Sequence, residues 1–118
     1  MACKTRLEQY RRFMDMVLKL LLRAREPGVL LRFGEAHRPS ILCDIYSKQG
    51  VGIEDSKHRY SLALDLWLVA AGTGTMISWE SPLYKKLGKY WESIGGIWGG
   101  RFKRKDVYHF EFGEKPII

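Results

Sequence analysis

Cysteine, proline and acidic side chains are all scarce in this chain. Of 118 residues, two are cysteine and four are proline. Cys3 and Cys43 form no CxxC pair and no dense framework, which excludes a disulfide-stapled scaffold and a cysteine-ligated zinc ribbon. The simplest expectation is a protein made in a reducing compartment. Few prolines, together with 46% hydrophobic residues, exclude a proline-rich linker or a disordered chain. Long apolar runs are missing too. The best one, Met16 to Leu22, is broken by Lys19 and flanked by Arg11, Arg12, Arg23 and Arg25. It is too short and too charged to span a bilayer, and no leader pattern is legible. Acids number 13 against 20 lysines and arginines, a net charge of +7. That excess implies anionic partners: nucleic acid, a membrane surface or a cell-wall polymer. The length suits one domain over residues 1–118 with one core.

Apolar spacing predicts a helix over 5–26, with Leu7, Tyr10, Met14, Val17, Leu18 and Leu21 as its packing side and Pro27-Gly28 as its stop. Val29 to Phe33 reads as a strand. Ser40 caps a short helix through Tyr46, and a loop follows from Gly50 to Lys57. Ser61 to Val69 reads as a strand with Leu62, Leu64, Leu66 and Leu68 on one face and Asp65 on the other. Met76 to Trp79 suggests a short return strand. Ser81-Pro82 opens a helix to about Ile94, Gly95 to Gly100 reads as a glycine-rich loop, and Val107 to Phe112 as the last strand. The order predicts an α+β fold with a small, mostly antiparallel sheet and helices on one side. With no exposed apolar stripe evident, a monomer is expected.

One polar set sits where polarity is costly. Asp65 interrupts the leucine strand, His109 lies in the aromatic run Tyr108 to Phe112, and His58 precedes the first of these strands. A carboxylate in such surroundings needs a cation, a metal or several hydrogen bonds. Two imidazoles and a carboxylate suit zinc, and three protein ligands leave one tetrahedral position open, as in catalytic sites. A hydrolase also needs a base. Asp106, three residues before His109, is favoured, with Glu111 as the competitor. An amide-cleaving site needs a cation for the developing oxyanion, for which Arg38 is a candidate. His37 shows no partner pattern and reads as structural or rim.

Ser56-Lys57-His58-Arg59-Tyr60-Ser61-Leu62-Ala63-Leu64-Asp65 resembles the SxHxxGxAxD motif of zinc peptidases related to D-Ala-D-Ala carboxypeptidase. Asp106-Val107-Tyr108-His109 resembles their second motif, an acid three positions before a histidine. Tyr90 to Phe102 is similar to the segment before that motif in phage endolysins of the L-alanyl-D-glutamate peptidase branch, and Gly34 to Arg38 is similar to their first strand and its arginine. The resemblance spans roughly residues 30–113. It implies a hedgehog/D-Ala-D-Ala-peptidase-like fold, His58, Asp65 and His109 as zinc ligands, Asp106 as base, and Arg38 at the substrate or oxyanion. Ser56 and Trp98 are the expected substrate contacts. Ser61 stands where the motif has glycine, and Pro39 to Cys43 replaces a region that commonly carries a glutamine.

The implied activity is hydrolysis of a peptidoglycan stem-peptide bond, L-alanyl-D-glutamate first and D-Ala-D-Ala second. The resemblance implies synthesis in a host cytoplasm and action on the wall after release, without stable membrane insertion. Two other readings compete. A nucleic-acid-binding module would use Arg101-Phe102-Lys103-Arg104-Lys105, but no known binding motif accompanies that run, and nucleic acid is not an expected partner. A catalytically dead wall binder would not need all four polar residues.

Overall fold

The computed structural model describes residues 2–50 and 56–118, leaving aside the side chains of Ser40 and Cys43. Much of the loop read for Gly50 to Lys57 therefore lies outside the described residues. The elements are α1 (Arg6–Ala24), β1 (Val29–Phe33), α2 (Ser40–Lys48), β2 (Ala63–Ala70), α3 (Pro82–Ser93), β3 (Ile97–Trp98) and β4 (His109–Glu111), with 3-10 turns at Lys57–Tyr60 and Gly99–Arg101. One antiparallel sheet has the order β1-β2-β4-β3. The α+β expectation holds.

Strand alternation builds the core. Leu62, Leu64, Leu66 and Leu68 are buried on one side of β2, while Asp65 and Trp67 face the other. Phe110 of β4 joins the buried side, between His109 and Glu111. Helices α1 and α3 pack together, and Phe13, Trp91, Phe110 and Phe112 meet edge to face around Trp91 and Phe13. Such aromatic pairs add to the free energy of burying their large surfaces. Helix α3 opens as the sequence implies, Ser81 Oγ accepting the Leu83 N–H at 3.3 Å with Pro82 in the first turn.

Four expectations are corrected. The buried side of α1 is Gln9, Phe13, Met16, Val17, Leu20 and Ala24. Leu7, Met14, Leu18 and Leu22 are exposed, so the helix carries two apolar sides, and an exposed apolar stripe is present where none was expected. Helix α2 is capped by Pro39 with no side-chain cap bond, so Ser40 is its first residue. The return strand reduces to one bridge between Val69 and Met76. The glycine-rich segment is not a free loop, because Ile97 and Trp98 pair with Glu111 and Phe110 as β3. Cys3 is a buried free thiol. Among the described residues, no helix is long and apolar enough to cross a membrane.

Candidate metal centre

The site forms on the sheet face opposite the leucine layer. Asp65 and His109 are direct partners in the antiparallel pairing of β2 with β4. Directly opposed residues hold their Cβ atoms about 5 Å apart, so the register alone brings the two side chains together. Gly34 continues β1 beside Asp65: its N–H donates to the Asp65 carbonyl at 2.8 Å, and the Asp65 N–H donates to the Glu35 carbonyl at 2.8 Å. A Cβ at Gly34 would lie 2.9 Å from the Asp65 Cβ, so the close approach requires glycine.

His58 comes from the 3-10 turn. Ser56 Oγ caps it by accepting the His58 N–H at 3.2 Å, and the His58 carbonyl accepts the Arg38 N–H at 2.8 Å. Ser61 closes the turn in the left-handed region at φ 58°. This accounts for glycine in the motif: the position needs a positive φ, and a non-glycine residue there costs about 1 kcal/mol. Ser61 adopts the conformation nonetheless, and its hydroxyl meets His37 Nδ1 at 2.9 Å on the exposed rim.

The three side chains each present one ligand atom within 4.8 Å of the others. Asp65 Oδ1 lies 3.2 Å from His58 Nε2 and 3.5 Å from His109 Nδ1. Neither approach has hydrogen-bond alignment, and Oδ1 is buried without a hydrogen-bond partner. The outer ring nitrogens are occupied. His58 Nδ1 is 2.9 Å from the Ala36 carbonyl, and His109 Nε2 is 2.8 Å from Glu111 Oε1. Lys57 Nζ pairs with Glu111 Oε2 at 2.7 Å. A nitrogen that donates outward leaves its neighbour's lone pair facing inward. Two inward imidazole nitrogens and an orphaned buried carboxylate oxygen form an electron-rich recess that fits a divalent cation with nitrogen and oxygen ligands.

Without a cation, electrostatics draw a proton into the recess. Burial alone would raise the Asp65 carboxyl, but the neighbouring His109 and His58 outweigh it and hold it at about 2. Burial would lower His109, yet Asp65 and Glu111 push it up to about 9. Asp106 is half-buried in the turn before β4, anchored by its N–H to the Gly99 carbonyl at 2.9 Å and by its own carbonyl to the His109 N–H at 3.2 Å. Its carboxyl is raised above the usual range, by burial first and then by the Asp65 charge.

The remaining sequence candidates divide. Arg38 lies beside the His58 turn; its Nε donates to Glu35 Oε1 at 2.6 Å and its guanidinium stacks over Tyr46 at 5.2 Å. Ser56 stands behind His58, its hydroxyl engaged as a cap. Trp98 is a correction. It is 5% exposed, its indole N–H donates to the Val107 carbonyl at 2.9 Å, and its ring packs against Gly88 and Gly100. A ring so enclosed packs as part of the core rather than as an open substrate surface. Glu111, the competing base, has its carboxylate occupied by His109 and Lys57. Sequence reasoning missed the roles of Ala36, Lys57 and Glu111 around the ligands. For Glu111 a signal existed, since residues two apart on a strand share a face. Arg101 ends the second 3-10 turn and Arg104 lies in the segment after it; both are exposed, Arg101 pairing with Glu92 at 3.1 Å and Arg104 donating to the Gly50 carbonyl at 3.3 Å.

Residues 50–112 match the family model described as D-alanyl-D-alanine carboxypeptidase. The chain belongs to this family. The crystal structure of the L-Ala D-Glu endopeptidase ChiX from Serratia marcescens is also similar. It aligns at a TM-score of 0.62 and 27% identity, over 84% of this chain and 78% of that one. No curated protein sequence matches. The matched segment of this D-alanyl-D-alanine carboxypeptidase family member contains His58, Asp65, Asp106 and His109. The chain is therefore a peptidase by family, with a three-residue group suited to a metal.

Proposed function

We propose that this chain is a zinc-dependent peptidase that hydrolyses a stem-peptide bond of bacterial peptidoglycan, in the manner of a phage endolysin. The observation that carries the reading is the orphaned Asp65 Oδ1 between His58 Nε2 and His109 Nδ1. Those three atoms would hold the ion. Zinc bound there supplies Lewis acidity, polarising the scissile carbonyl and acidifying water.

The chain's own groups do the rest. Asp106 accepts a proton from the water whose oxygen attacks the carbonyl carbon. It returns that proton to the amide nitrogen as the C–N bond breaks. Its raised carboxyl suits both halves of the transfer. Arg38, held in orientation by Glu35 and Tyr46, carries positive charge toward the developing oxyanion. The +7 surface attracts an anionic wall polymer. The L-alanyl-D-glutamate bond is the first choice because the similar Serratia protein is an L-Ala D-Glu endopeptidase. The D-Ala-D-Ala bond is the second, favoured by the description of the family model.

Mass spectrometry of muropeptides after digestion tests the reading. New fragments should end at L-alanine, require zinc, vanish with chelator, and be absent with Asp106→Ala while that variant still binds zinc. Fragments that persist in chelator, or wall binding without cleavage, would refute it.

A further inference from the structure

We infer that Lys57 and Glu111 form a positioning pair that commits His109 to bind the metal through Nδ1 and ties its strand to the turn carrying His58. This rests on the metal reading above and adds two residues and one nitrogen to it.

Strand geometry comes first. His109 and Glu111 are two apart on β4 and share a face. Glu111 Oε1 reaches back to His109 Nε2 at 2.8 Å, which turns Nδ1 toward Asp65 Oδ1 at 3.5 Å. The second carboxylate oxygen does not face solvent. Oε2 meets Lys57 Nζ at 2.7 Å, and both side chains are largely enclosed, 14% and 16% exposed. Lys57 Nζ also donates to the Phe112 carbonyl at 2.6 Å. The ammonium thus grips the chain at the last residue of β4 and at the residue that follows it. Its own backbone lies in the turn next to His58, where the Lys57 carbonyl accepts the Leu62 N–H at 3.1 Å.

Energetics argue that such a pair is not there for stability alone. Enclosing an ion pair roughly offsets its Coulomb gain with desolvation. Its placement on the outer nitrogen of a candidate ligand supplies another reason, because such partners orient the ring and raise its basicity. The two histidines are then unlike. His58 leans on a neutral carbonyl and offers Nε2, whereas His109 leans on a carboxylate and offers Nδ1. Lys57 holds that carboxylate in place and offsets its charge.

Zinc competition titration of the full chain tests this with Glu111→Leu, Lys57→Met and Lys57→Arg. Glu111→Leu should bind zinc 10–100-fold more weakly, on the order seen when a metal's outer hydrogen-bond partner is lost. Lys57→Met should also weaken binding, and Lys57→Arg should restore most of it. In the zinc-loaded protein, long-range proton–nitrogen NMR should show His109 retaining its proton on Nε2. If Glu111→Leu fails to fold, Lys57→Met decides, since it leaves β4 untouched. Zinc binding by the unaltered chain that neither Glu111→Leu nor Lys57→Met weakens would overturn the inference and leave the metal reading standing. So would a Tm loss at unchanged affinity, or a His109 metallated at Nε2. No zinc uptake by the unaltered chain would overturn both.

Discussion

Raising the pH of metal-free protein from 6.5 to beyond 9 removes a proton from His109, and the structure fixes the sign of two consequences. In the folded chain His109 is held at about 9, against an ordinary 6.5. A raised folded-state value contributes stability that is fully present below 6.5 and disappears as pH rises through 9. At about 1.4 kcal/mol per unit, that gap amounts to about 3 kcal/mol. Asp65, lowered from 3.8 to about 2, contributes above 3.8 and loses its contribution only as pH falls through 2, so it is silent in this window. Metal uptake runs the other way, because the ligand must be neutral. Zinc affinity should rise about tenfold per pH unit from 7 to 9, with about one proton released per ion bound at pH 7. Urea unfolding in chelator at three pH values measures the first effect. Competition titration, and calorimetry in buffers of different ionisation enthalpy, measure the second. Flat metal-free stability together with pH-independent zinc uptake would refute the electrostatic account of the recess.

Two further substitutions and one salt series separate structural from functional roles. Trp98→Ala should lower unfolding free energy by about 3–5 kcal/mol, as for a buried tryptophan, in a denaturant titration. Unchanged stability with a raised KM would restore it as a substrate contact. Gly34→Ala places a methyl 2.9 Å from the Asp65 Cβ. It should cost about 1–3 kcal/mol and weaken zinc binding by pushing β1 off β2, checked by the same two titrations. Lysis of isolated walls should slow as ionic strength rises from about 50 to 300 mM, since exposed charges are then screened; a salt-independent rate would remove the basic surface from the account.

Much of the site was legible because burial makes polarity conspicuous. Asp65 stood out among leucines, and strand periodicity correctly turned it away from them. The pairing of Asp65 with His109 follows from two strands lying side by side. What sequence hid was tertiary. Gln9 is 1% exposed in α1, satisfied by the Lys115 carbonyl at 2.9 Å and the Ile117 N–H at 3.0 Å. No local pattern announces a glutamine bonded to a segment more than a hundred residues away. Leucines on two sides of the same helix made its phase ambiguous, and the more regular stripe is the exposed one. Gly95 to Gly100 read as a glycine-rich loop, yet Gly96 sits against Trp91 and Gly100 against Trp98, so these glycines make room for indole rings. Lys57 gave no sign at all, because its partner Glu111 is distant in sequence, on the last strand.

One divalent ion held jointly by His58, Asp65 and His109 underlies the proposed chemistry. Anomalous diffraction at the zinc edge, from crystals of the zinc-loaded chain, tests it most directly. A single strong peak should lie about 2.0–2.2 Å from His58 Nε2, Asp65 Oδ1 and His109 Nδ1. A peak elsewhere, or none at full zinc loading, would contradict the account.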